Sequence, residues 1–473
     1  YGTINVYGDT KFKGDITNDG TINSEGNFTS DTILSNNVNA TTDLLKGSNA
    51  DETYTIILNK VDNAGRINIK ADKNAISEVT NTGIISTANR TTFGTVTNTG
   101  TNNDNKAILT STGNTTFNGN VINNNFGAIS LDGTNTFKAN IIGSNNTEFY
   151  IVGDTSIAGY VTIGNDSIMT LNGTSILDSS LEIGNNSTFT TINSTTINGA
   201  FSIGKNSNIE MNGTNIFNSN VTIGDGTSAI FTDNTTIAEN TTIGNNANIS
   251  VSGNTNFNGK LSNTQDAELT TNGETNFKSI ENNGTITLND KNTINGNVTG
   301  NGTINIINDT FITDGSIIED LIINLENTSK LTITNSNVIL NANDNINGNI
   351  TAISGNLSII ENSITYDNLT ISDSDNTNVT LNITDTTVST ANNKIQNFNM
   401  GILNSNKNSI YKLDLHLISD SKGEADTITV ASGAKGIITI HKLNGLTKDE
   451  ITHNDTATIK ILNRTDVANA DNK

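Results

Sequence analysis

The sequence predicts an all-β fold: a right-handed parallel β-helix, or solenoid, in which about 20 residues and three short strands make one coil. Three observations carry this expectation. Apolar residues return at a spacing of 20 along the middle of the chain, they alternate in steps of two within short segments, and the 473 residues include no proline. Alternation in steps of two is the strand period, and a chain without proline can be hydrogen-bonded along a continuous sheet.

The first column of the repeat is Phe117, Phe137, Ile157, Leu177, Ile197, Phe217, Ile237, Phe257 and Phe277. A second strand reads Val161/Ile163, Leu181/Ile183, Phe201/Ile203 and Val221/Ile223, continuing as Thr241/Ile243. A third reads Met169/Leu171, Ile209/Met211 and Ile249/Val251, with weaker members between. A single coil of this kind buries almost nothing; stacking joins the columns into one narrow core.

The turns repeat as well. Gly133, Gly153, Gly173, Gly213, Gly253 and Gly273 recur, with Asn193 and Asp233 in the missing places, and a second turn column runs Gly164, Gly184, Gly204, Gly224 and Gly244. Gly, Asn and Asp are the residues that best tolerate the left-handed backbone region, so both columns predict left-handed corners. The Asn that follow the second column predict amide-to-amide bonds between stacked turns.

The repeat is most regular over 111–280 and drifts between 18 and 20 residues elsewhere in 1–409: Gly2-Thr3-Ile4-Asn5 returns at Gly20-Thr21-Ile22-Asn23, and Gly284-Thr285-Ile286 at Gly302-Thr303-Ile304. Residues 36–80 and 390–411 interrupt the pattern and predict looser coils or loops. At an inter-strand spacing of about 4.8 Å the chain would make roughly 24 rungs and a rod roughly 110 Å long. Right-handedness is the usual hand of parallel crossovers.

Composition narrows the function. Only 33% of residues are hydrophobic and 5% aromatic, yet the chain is full of Ile, Val and Thr, which favour strands over disorder. The formal charge of −22, with only Arg66, Arg90 and Arg464 as arginines, excludes a polyphosphate-binding surface and hence nucleic acid. It suits a long surface protein kept soluble by self-repulsion. Absence of Cys removes disulfides and thiolate metal sites, and no stretch reaches the roughly 18–20 apolar residues of a membrane helix.

From Ile410 the text changes to IYKLDLHLISDSKGEADTITVASGAKGIITIHKLNG. With Tyr411, Leu413, Leu415, Ala425, Asp426, Ile428, Val430 and Gly436, this stretch resembles the C-terminal end of autotransporter passengers. The Asn/Thr/Gly-rich rungs upstream resemble the same class, including rickettsial-type surface antigens. The resemblance implies residues 410–473 as a passenger-end section, a translocator barrel beyond Lys473, export to the bacterial surface, and adhesive, shielding or array-forming roles.

No catalytic, cofactor or metal site is expected. Galacturonase-like enzymes on this fold use Asp-Asp, Gly-His-Gly and Arg-x-Lys segments; none occurs here. His416, His441 and His453, with Asp414 and Asp449, are weighed as a metal cluster, but His416 alternates with Leu413 and Leu415 and reads as a solvent-facing strand residue. Asp373 and Asp375 lack the Gly and the later Glu of a calcium loop.

Two functions remain in competition. The first is a non-enzymatic adhesin, stalk or display rod whose partner is a host or neighbouring-cell receptor or glycan. The second is a structural protein that self-associates into a surface layer or filament. Neither involves nucleic acid, and membrane enters only through the implied translocator.

Overall fold

In the computed structural model, residues 2–45 and 53–313 are described, together with strand segments between 317 and 464. The chain divides into two units, Tyr1–Gly253 and Asn254–Lys473. Every regular element among the described residues is a β-strand. In each unit the strands stack as an all-β parallel solenoid. The antiparallel pairings described are the hairpin of Ile410–Ser419 with Lys422–Ala425 and an isolated bridge between Asn102 and Asn105.

In the first unit the apolar columns become stacks. Phe117 pairs with Phe137, Phe137 with Ile157, Ile157 with Leu177, Leu177 with Ile197, Ile197 with Phe217 and Phe217 with Ile237. The column extends upstream to Phe93, Ile76 and Leu58. The rings of Phe93, Phe117 and Phe137 stack at centroid distances of 5.1 and 4.7 Å. In the second unit Phe257 stacks on Phe277 at 5.2 Å, and Ile294 and Ile312 follow. Each of these core side chains withdraws apolar surface worth about 1.5–3 kcal/mol from water.

Strand number per turn varies. Between 107 and 251 short strands alternate with turns, as in Ile168–Asn172, Ser175–Leu177 and Leu181–Ile183. Upstream, one long strand replaces two of them: Arg90–Thr99 pairs with both Thr115–Phe117 and Val121–Asn124. Gly94 marks the bend in that strand, because a Cβ there would lie 1.9 Å from the Ser77 carbonyl oxygen.

The predicted interruption at 36–80 is largely regular. Thr55–Asn63 pairs in parallel with Phe28–Asn36 and with Lys73–Asn81, and Thr41–Leu45 with Arg66–Ile69. The Lys, Asp and Glu there sit on outward positions, where charge costs a strand nothing; residues 46–52 lie outside the described ones. Within 390–411, Asn397–Ser405 is a strand paired with Thr365–Ile371, while 390–396 and 406–409 lie outside the described residues. The 18-residue returns pair as their spacing predicts, Thr3 with Thr21 and Thr285 with Thr303.

The corners differ from expectation. Gly133, Gly153 and Gly213 do take left-handed φ of 112°, 88° and 75°. Asn193 and Asp233 in the same column do not, and neither do Gly164, Gly184, Gly204, Gly224 and Gly244. In that second turn the left-handed residue lies two positions later, at Asn146, Asp166, Asn186, Asn206, Gly226 and Asn246. Glycine is required before it for closeness: a Cβ on Gly184 would lie 2.6 Å from the Asn165 nitrogen of the neighbouring rung.

Amide stacking is also found, but elsewhere. Asn145, Asn165 and Asn185 each accept a backbone N–H of the next turn on Oδ1, at 2.9, 2.8 and 2.7 Å. The amide-to-amide ladder is buried inside the first unit, Asn18–Asn36–Asn63–Asn81–Asn98–Asn123, with Nδ2-to-Oδ1 distances of 2.8, 2.9, 2.7, 2.7 and 2.9 Å. Gly143 ends it. From there Ile183, Ile203, Ile223 and Ile243 occupy the strand end, and buried hydroxyls hold the turn instead: Ser167, Ser187, Ser207 and Thr227 accept the N–H of Thr147, Ser167, Ser187 and Ser207. Each arrangement gives buried polar groups of the turn a partner, the amides by donating to carbonyls such as Gly127 and the hydroxyls by accepting the turn N–H, as burial requires.

Candidate functional site

A solenoid strand normally presents polar residues outward, so apolar residues on outward positions are the informative departure. Several concentrate in the first unit between residues 150 and 192. Tyr150, Val152, Tyr160, Ile176 and Ile192 are 39–45% exposed. The strand Glu148–Val152 is apolar on both faces, since Phe149 and Ile151 fill the core while Tyr150 and Val152 face out.

Beside them runs a shallow groove of about 230 Å³ over three neighbouring rungs, lined by Thr134, Thr136, Asp154, Ser156, Thr174 and Ile176, with buried Asn135 and Thr155 beneath. It forms because Thr136, Ser156 and Ile176 share one outward column. Thr134, Asp154 and Thr174 occupy the adjoining corner. Asp154 Oδ1 accepts the Thr174 N–H at 3.1 Å, which fixes the carboxylate and leaves Oδ2 toward solvent chemistry. Among the described residues the hydroxyls of Thr134, Thr136, Ser156 and Thr174 have no hydrogen-bond partner.

The electrostatics here are acidic. Between 130 and 185 the only base is Lys138, against Asp132, Glu148, Asp154, Asp166, Asp178 and Glu182. Lys106, from two rungs away, is bound to Glu148 at 2.6 Å. Burial, reinforced by the Glu148 charge and opposed by Lys106, raises the Tyr150 phenol above its ordinary value.

The residues weighed for a metal cluster are not brought together by anything described. His416 pairs across its backbone with Asn444 and Glu424, and Asp414 with Lys442, while the side chains of His416, His441 and Asp414 and all of His453, Asp449, Asp373 and Asp375 lie outside the described residues. Among the described residues no group of three or more His, Cys, Asp or Glu is placed to hold a metal ion, and no helix is long and apolar enough to cross a membrane.

The groove is not legible in the column spacing of the sequence. Its one signal is Ile176 beside inward Leu177, where polar-out alternation fails. No family model and no curated protein matches the chain.

Proposed function

We propose that this chain is a non-enzymatic, surface-displayed binding protein, an adhesin or stalk of the autotransporter passenger kind, exported to the bacterial surface. Its right-handed coils of about 20 residues and three short strands serve as a rigid support, and the outward face over residues 132–192 meets the partner. The observation that carries this reading is the clustering of Tyr150, Val152, Tyr160, Ile176 and Ile192 within a short stretch of chain, where five of the exposed large apolar side chains fall together. Exposed apolar side chains beside a groove are a usual mark of a recognition surface.

The test is adhesion. Beads coated with the full chain are presented to host epithelial and bacterial cells beside beads carrying a Tyr150→Ser/Val152→Ser double variant. Retention of wild-type beads and loss with the variant support the reading; equal retention of both, or of neither, overturns it.

A second reading, lateral self-association into a layer or filament, draws on the same exposed apolar side chains. Sedimentation over a wide concentration range separates the two: a chain that stays monomeric excludes the layer, and one that assembles excludes the free stalk.

A further inference from the structure

We infer that the groove bounded by Thr134, Asp154, Ser156 and Ile176 is a subsite for one neutral sugar ring of a surface glycan; the inference rests on the binding reading above and names its ligand class. Three features point there. Size is the first: about 230 Å³ falls below the roughly 300–1,000 Å³ of pockets for drug-sized ligands, which suits a single pyranose.

Chemistry is the second. A sugar ring presents hydroxyls that both donate and accept around its rim, and a patch of C–H groups on one face. The accessible lining of the groove is mainly apolar, which suits the C–H face, while the surrounding Thr134, Thr136, Ser156 and Thr174 carry the hydroxyls. Each such hydroxyl donates one hydrogen bond and accepts others. Asp154 adds a carboxylate that is held in place through Oδ1 by the Thr174 N–H, leaving Oδ2 for paired sugar hydroxyls in charge-assisted bonds. Ile176, exposed on the same column, supplies the apolar wall for the C–H face.

Charge is the third. With one lysine against six carboxylates between 130 and 185, the surroundings repel anions. Sialylated and sulfated glycans are thereby disfavoured, and neutral residues are selected.

The inference is tested on an array of immobilised glycans ending in galactose, glucose, mannose, fucose or N-acetylglucosamine, beside sialylated and sulfated counterparts. The probes are the intact chain, Ser156→Trp, Asp154→Asn and the control Thr236→Trp. Ser156→Trp fills the groove from an exposed position; Asp154→Asn keeps the Oδ1 acceptor for Thr174 and removes the charge; Thr236 lies in the same outward column four rungs away. Each variant is checked for unchanged circular dichroism and melting.

Binding to neutral glycans is expected for the intact chain and Thr236→Trp, at least ten-fold weaker for Asp154→Asn and lost for Ser156→Trp. Binding confined to anionic glycans, no glycan binding, or binding indifferent to Ser156→Trp would overturn the inference. Cell adhesion of the same beads decides the wider reading separately: adhesion that survives Ser156→Trp and glycosidase treatment of the cells removes the sugar subsite and leaves the adhesin.

Discussion

Asn81 donates its side-chain amide to Oδ1 of Asn98 at 2.7 Å, with both side chains fully buried. The same Nδ2 also reaches the Gly83 and Ile108 carbonyls, so one amide serves two turns and two rungs. Each Asn in the ladder thereby orients the next, and the first unit is tied at this corner from Asn18 to Asn123.

Replacing Asn81 by Ala leaves the Asn63 amide and the Asn98 side chain with an unmet partner inside the core. Each orphaned buried group costs about 1–3 kcal/mol. Nearest-neighbour stacking confines the damage, so the expected result is accelerated hydrogen exchange in Lys73–Asn81 and its neighbours Thr55–Asn63 and Arg90–Thr99, with strands beyond 200 unchanged. Uniform exchange across the unit would contradict a local ladder.

Phe137 stacks on Phe117 at 4.7 Å and is 1% exposed. Phe137→Ala should cost about 3–5 kcal/mol, the usual range for a buried ring whose cavity cannot collapse. Phe137→Leu keeps the column filled and should cost markedly less. Chemical denaturation of both variants checks the order.

At the second turn, Gly184→Ala and Asn186→Gly should differ sharply in cost. The added Cβ of the first meets backbone atoms of the neighbouring rung at 2.6 Å, which side-chain motion does not relieve, and overpacking of this kind costs roughly 1–3 kcal/mol. Asn186 sits at φ 54°, where glycine is at no steric disadvantage, so its replacement should change the melting temperature little. An equal loss from both would show that the turn depends on the Asn186 side chain.

Across the exposed turns Lys205 lies 2.7 Å from Asp225. Its hydrogen bond, then the Asn245 N–H, holds the Asp225 carboxyl below its ordinary 3.8. A depressed folded value means that the contribution is present above the unfolded value and fades as pH falls through the folded one. Lys205, raised by the same bond, contributes below its unfolded value and loses that share as pH rises through the folded one. Both groups are solvent-screened, so the effect is small. Carboxyl NMR titration should place Asp225 low in the native chain and bring it partway back in Lys205→Gln, the Asn245 share remaining.

The amino-acid pattern alone determined the strand class, the apolar columns from Phe117 through Ile237 and from Phe257 through Phe277, and the 18-residue returns at Thr3/Thr21 and Thr285/Thr303. Those features rest on alternation and spacing, which are local. Three decisions belonged to the stacked structure. The left-handed corner fell on Asn186 rather than on Gly184, because the glycine is needed for approach to the rung beside it. The amide ladder formed at Asn18–Asn123, whose members are separated by unequal stretches of chain, so that only pairing in space aligns them. The groove arose where Thr136, Ser156 and Ile176, each unexceptional in its own coil, came to stand in one outward column with Asp154 at the corner. In a solenoid the chain sets what each rung buries, while contact between rungs sets what its surface presents.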